Sequence, residues 1–140
     1  MKKILIIAAF ALTSVIASAQ STVVSPMLSP YSLALDTVTN AGTNYVTVNT
    51  TSAWTDVTIQ PVITKVSGTV AGTYYLQGSI DGTNFKSIVG DSVTATNVTT
   101  NTKLWVLSTR SYKYYRVAYT GTGTMVATLR SYLFVQNVNK

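Results

Sequence analysis

The chain has 140 residues, 46% of them hydrophobic and only 10% charged, with a formal charge of +6 and neither Cys nor His. That composition excludes disulfides, thiolate or imidazole metal sites, and Ser–His or Cys–His nucleophile pairs. Glu is absent as well, and Asp36, Asp56, Asp81 and Asp91 stand far apart, so general acid–base chemistry has little to draw on. We expect no enzyme, no catalytic residues, no cofactor and no metal.

Met1-Lys2-Lys3 is followed by an apolar run from Ile4 to Leu12, and Ala17-Ser18-Ala19 precedes Gln20. A basic start, a short apolar segment and a small-x-small site form the pattern of a secretory signal peptide. The whole segment from Ile4 to Ala19 contains Thr13, Ser14 and Ser18 and is short for a span needing ~20 residues. We therefore expect residues 1–19 to be cleaved, with membrane contact only through that leader and an exported product in periplasm, cell surface or medium. Lys2 and Lys3 leave with the leader, so Lys65, Lys86, Lys103, Arg110, Lys113, Arg116, Arg130 and Lys140 carry the basic charge.

Residues 20–32 hold Pro26 and Pro30 and show no period. They read as an extended arm or linker, able to lie on a neighbouring subunit as an added strand. The domain proper is expected over 33–140. Its content of Thr, Val and Tyr suits pleated, half-buried surfaces.

Strands are expected at 33–38 and 45–48, around a turn at Asn40-Ala41-Gly42, and again at 57–66 after Trp54. Val57, Ile59 and Ile63 share one face of that third run. Pro61 interrupts it and cannot donate to a ladder, which predicts an edge strand or a bulge there. Strands at 74–79 and 85–89 flank Asp81-Gly82, a strong hairpin signal because Gly supplies the φ > 0 such turns need. The Asp81 side chain is expected to bond nearby backbone amides. Asp81-Gly82-Thr83-Asn84 is rich in oxygen but lacks the several acidic groups of a tight calcium site.

A polar stretch at 90–102 carries a short strand near 93–98, and Leu104-Trp105-Val106-Leu107 forms another. In the run 112–120, Tyr115, Val117 and Tyr119 fall on one face and Tyr114 and Arg116 on the other, the period of a half-buried strand. Gly121-Thr122-Gly123 is a turn. The last strand alternates Met125, Ala127, Leu129, Ser131, Leu133 and Val135 against Thr124, Val126, Thr128, Arg130 and Tyr132. About eight strands with regular turns predict an all-β fold: a single antiparallel two-sheet sandwich, jelly-roll or immunoglobulin-like. Its expected core is Tyr45, Val57, Ile59, Ile63, Leu76, Ile88, Trp105, Val117, Tyr119, Ala127, Leu129 and Leu133.

Among the basic residues only Arg110, Lys113 and Arg116 cluster, with Tyr112, Tyr114 and Tyr115 between them. Such a pattern suits single-stranded nucleic acid or an anionic glycan. The plainer reading is a strand whose outward side chains reach water, and no specific nucleic-acid partner is expected.

The segment from Ser67 to Phe85 resembles one found in β-sandwich virion proteins of tailed phages and related environmental viruses. There a strand ending in Gly-Ser, as at Gly78-Ser79, enters an Asp-Gly-Thr-Asn turn, as at Asp81 to Asn84. A Tyr-Tyr-Arg-Val-x-Tyr strand follows, as at Tyr114 to Tyr119, and then Gly-Thr-Gly, as at Gly121 to Gly123. The resemblance spans roughly residues 36–133 and implies a decoration, spike or fibre role, with the virion as location if the gene is viral. A weaker similarity, to discoidin-like carbohydrate-binding domains, lies in Ser-x-Asp-Gly-x-Asn-aromatic followed by an aromatic-Arg-Val strand.

Two functions are therefore carried forward. One is a non-enzymatic structural protein whose partners are copies of itself or other structural subunits. The other is a secreted carbohydrate-binding adhesion module with glycan partners. The candidate ligand or partner contacts are Trp54, Tyr112, Tyr114 and Arg116, with Asn97 as a further polar group. Aromatic rings stack on sugars, but each is also an ordinary cross-strand packing residue.

Overall fold

Alternation along the chain decides the architecture. In the last strand Met125, Ala127, Leu129, Ser131 and Leu133 are all buried, while Val126, Thr128 and Tyr132 between them are half-exposed. A strand with one apolar side must lay it against a second layer. The computed structural model describes residues 22–26, 36–50, 56–88, 92–107 and 111–136. The leader, the remainder of the arm, Leu33 to Leu35, Trp54, Asp91 and Arg110 lie outside the described residues.

Eleven strands form, and no helix occurs among the described residues. They are β1 (Thr22–Pro26), β2 (Asp36–Thr39), β3 (Thr43–Asn49), β4 (Asp56–Gly68), β5 (Gly72–Ser79), β6 (Lys86–Ser87), β7 (Val93–Ala95), β8 (Thr100–Thr102), β9 (Trp105–Leu107), β10 (Tyr114–Gly121) and β11 (Met125–Gln136). The first sheet runs β1-β11-β4-β8, with β2 also on β11 and β9 also on β4; the second runs β3-β10-β5-β6, with β7 also on β5. All pairings are antiparallel.

The eleven segments fill eight positions, because β1 and β2 share one side of β11, β8 and β9 one side of β4, and β6 and β7 one side of β5. The chain visits them so that the first sheet holds the first, eighth, third and sixth positions and the second sheet the second, seventh, fourth and fifth. This is the path of a jelly roll. The sandwich expected from alternation is thus present, and the jelly-roll form is the one adopted.

Val57, Ile59, Ile63, Leu129 and Leu133 from the first sheet and Val46, Tyr74, Leu76, Tyr115, Val117 and Tyr119 from the second are buried in the interior. Burying each such side chain favours folding by roughly 1.5–3 kcal/mol. Tyrosines enter this core because their hydroxyls find partners. The Tyr119 hydroxyl donates to the Ala71 carbonyl at 3.0 Å, and that of Tyr74 to the Thr102 carbonyl at 3.3 Å. The Tyr115 hydroxyl accepts the Ser111 and Tyr112 N–H groups, each at 3.3 Å.

Two expected core residues are placed differently. Tyr45 is half-exposed on the outer face of the second sheet, because Val46 takes the inward parity of β3, opposite Val117. Ile88 is half-buried and packs on the core from its rim.

Pro61 is also resolved differently from either expectation. β4 is an interior strand, flanked by β11 on one side and by β8 and β9 on the other. The Pro61 carbonyl accepts the Thr102 hydroxyl at 2.8 Å, so its missing donor faces the β8–β9 side. There the flanking strand is broken: Thr102 pairs with Val62 and Trp105 with Ile59, while Lys103 and Leu104 pair with nothing on β4. The break in the neighbour accommodates the proline. The bulge in β4 lies elsewhere, at Val66, between the pairs Ser67–Val126 and Lys65–Ala127.

Candidate binding groove

The hairpin turn is built as expected and carries more than a change of direction. β5 and β6 pair at Gln77–Ser87 and Gly78–Lys86. Between them the Asp81 carboxylate accepts the N–H groups of Thr83 and Asn84 at 2.8 Å each, the Asn84 side-chain amide at 2.6 Å and the Ser79 hydroxyl at 2.8 Å. Ser79 in turn accepts the Gly82 N–H at 3.0 Å. The Asn84 bonds first, then those from Thr83 and Ser79, hold the carboxyl well below the usual carboxylate range. Every oxygen of that carboxylate is thereby committed to the turn. Gly82 has φ +77° and sits beneath the Tyr114 ring, whose nearest atom lies 3.2 Å from where a Cβ would stand.

This turn lays Phe85 over the outer face of the second sheet. Across the strands the register places Arg116 between Thr47 and Gln77, and Ala118 between Tyr45 and Tyr75. The Arg116 guanidinium lies 4.0 Å from the Phe85 ring centre and 4.8 Å from that of Tyr45. Its Nε donates to Gln77 Oε1 at 2.6 Å. Contacts of this kind contribute about 0.5–1 kcal/mol each at exposed sites and more where water is excluded. Burial lowers the guanidinium's proton affinity, opposed by the neighbouring Tyr45 and Tyr75, and it remains a cation. Tyr45, Thr47, Gly82, Thr83, Phe85 and Arg116 line an open groove of about 350 Å³.

Of the four expected contacts, Arg116 is at the centre of this groove and Tyr114 adjoins it across Gly82. The Lys113 ammonium stands 5.4 Å from the Tyr114 ring centre. Tyr112 is on the other side of the sheet. It covers Gly78, meets Tyr115 edge-on at 6.0 Å, and packs on the core. Trp54 lies outside the described residues. Asn97 is committed elsewhere, accepting the Val70 N–H at 3.1 Å and the Lys65 ammonium at 2.9 Å. Reading the sequence missed Tyr45, Phe85 and Gln77 as members. The one local signal was Phe85, placed directly after the Asp-Gly-Thr-Asn turn.

The fold and groove define an all-β jelly-roll domain with an arginine-centred, ring-walled cleft on one outer face. No protein-family model matches the chain, and no curated protein matches it. Among solved structures it is similar, at TM-score 0.47 and 9% identity over 86% of this chain and 91% of the other, to a protein of Bacillus endospore appendages, a family of disulfide-linked pili. A likeness at that level carries no inference about function.

Proposed function

We propose that this chain is a non-enzymatic structural protein, exported and assembling by homotypic contacts, as a virion decoration, spike or fibre component or as a surface protein of the cell. The observation that carries this reading is the free edge of the first sheet. Among the described residues nothing pairs with the outer side of β8 and β9. That edge exposes Leu104 and Val106, 55% and 67% accessible. Soluble proteins usually blunt such edges with charge, and here Lys103 alone does so. Val106 continues a row across the outer face through Thr58 to Phe134, which is 39% accessible.

The strand directions support the same reading. β1 and β2 run parallel to β4, and β8 and β9 antiparallel to it. The two edges of the sheet therefore run in opposite directions. Copies set side by side would meet edge to edge as an antiparallel pair, the pairing a short contact forms best. Such a head-to-tail contact repeats without closing and builds a filament or lattice. The near absence of catalytic side chains in the sequence and the resemblance of residues 36–133 to virion sandwiches agree with a passive role.

Light scattering on the full chain, expressed with its own leader, tests this. Concentration-dependent oligomers are expected, together with their loss in Val106→Lys. A strict monomer at high concentration would overturn it. A second reading, a secreted carbohydrate-binding adhesion module of discoidin type, is favoured by the groove around Arg116, whose aromatic and hydroxyl lining suits a sugar.

A further inference from the structure

We infer that the Arg116 groove binds the carboxylate of an acidic sugar unit, a uronate. This rests on the second reading above and narrows it to a ligand class. The argument starts from what Arg116 lacks. Its Nε is held by Gln77, and its guanidinium carbon lies within 5 Å of the Phe85 and Tyr45 ring centres. The two terminal amino groups meet no acceptor among the described residues, and no carboxylate lines the groove. Asp81, next to Gly82 in the turn, has both oxygens engaged there.

The result is a half-buried cation, anchored at Nε, whose terminal amino groups keep four N–H donors for a ligand. A planar carboxylate accepts two parallel N–H bonds from such a fork in the plane of the guanidinium. Around it, the hydroxyls of Thr47 and Thr83 line the groove with no hydrogen-bond partner among the described residues. They are placed to bond the hydroxyls of the ring that carries the carboxylate. The volume, about 350 Å³, lies at the lower end of the ~300–1,000 Å³ typical of small-molecule sites.

Isothermal titration of the full chain, expressed with its own leader, with an oligogalacturonate is the test. Binding is expected, with loss on methyl esterification of the sugar. Arg116→Lys keeps the charge but not the fork and should weaken binding about tenfold. Thr83→Val leaves Arg116 and its ring contacts in place and should weaken it about threefold, guarding against a fold defect in the first variant. Equal binding of the methyl ester or of a neutral oligogalactoside would overturn the uronate assignment and leave the carbohydrate-binding reading standing. Equal binding of inorganic phosphate, or of a peptide with a free C-terminal carboxylate, would overturn the sugar assignment. Unchanged affinity in both variants would overturn the location. No binding of any saccharide would overturn the assignment and the reading together.

Discussion

Replacing Gly78 by Ala should destabilise the sandwich through one identifiable neighbour. Gly78 is opposite Tyr115 on β10, on the inward side of β5. A Cβ there would lie 2.5 Å from Tyr112 Cγ, 2.7 Å from Tyr112 Cδ2 and 2.7 Å from Ile88 Cδ1. The Ile88 atom is the end of a flexible, half-buried side chain and can rotate away. The Tyr112 Cγ cannot, since it is one bond from its own Cβ and its ring is held edge-on to Tyr115 at 85°. Overpacking of this kind costs typically 1–3 kcal/mol. At ~4 °C per kcal/mol for a domain near this size, the melting temperature should fall by roughly 4–12 °C. In a Tyr112→Ala background the obstruction is gone and the added methyl should be nearly neutral. Urea denaturation of the four proteins of this double-mutant cycle should give a coupling of about 1–3 kcal/mol. Additive costs would refute the proposed contact.

Other substitutions discriminate local backbone from packing. Gly123 has φ +84° with nothing within 4 Å of a Cβ, whereas a Cβ on Gly72, at φ +140°, would meet the Thr120 carbonyl oxygen. Gly123→Ala should cost about 1–2 kcal/mol from the left-handed backbone alone, and Gly72→Ala clearly more, read from denaturation midpoints. Tyr119→Phe removes the bond to the Ala71 carbonyl and should cost about 1 kcal/mol by the same measurement. The Asp81 carboxyl titrates lower when folded than when unfolded, so its stabilisation is complete above roughly pH 4 and fades as the pH falls below that. Thermal melts should show that acid-side decline in the wild type, and a smaller one in Asp81→Asn.

Much of the sandwich was legible because its faces alternate cleanly. In β10 one parity is apolar throughout, in β11 only Ser131 breaks it, and period two alone assigns the interior. β3 is different: Tyr45 competes with Val46 and Val48, so both parities look apolar and only the register with β10 decides between them. Pro61 announced an irregularity in the chain. Its resolution sits in Thr102 to Trp105, some forty residues away, and no local pattern marks that partnership. The groove was half legible for the same reason. Arg116 stood out as an outward cation among tyrosines, but Tyr45 and Phe85 reach it only through pairings fixed by the whole second sheet. Tyr112, one of the same local cluster, departs to the other side because the chain has not yet entered β10 when it passes Gly78.

The interruption between β8 and β9 reaches beyond the proline it shelters. Any visiting segment finds two short strands with the unpaired Lys103 and Leu104 between them. A sliding guest would lose one strand or meet the break, so misregistered stacking is disfavoured. Long, flat templating of the sort that seeds amyloid has no continuous ladder to copy here. If copies pair along this edge as proposed, the break would admit a neighbour in one alignment while resisting runaway aggregation.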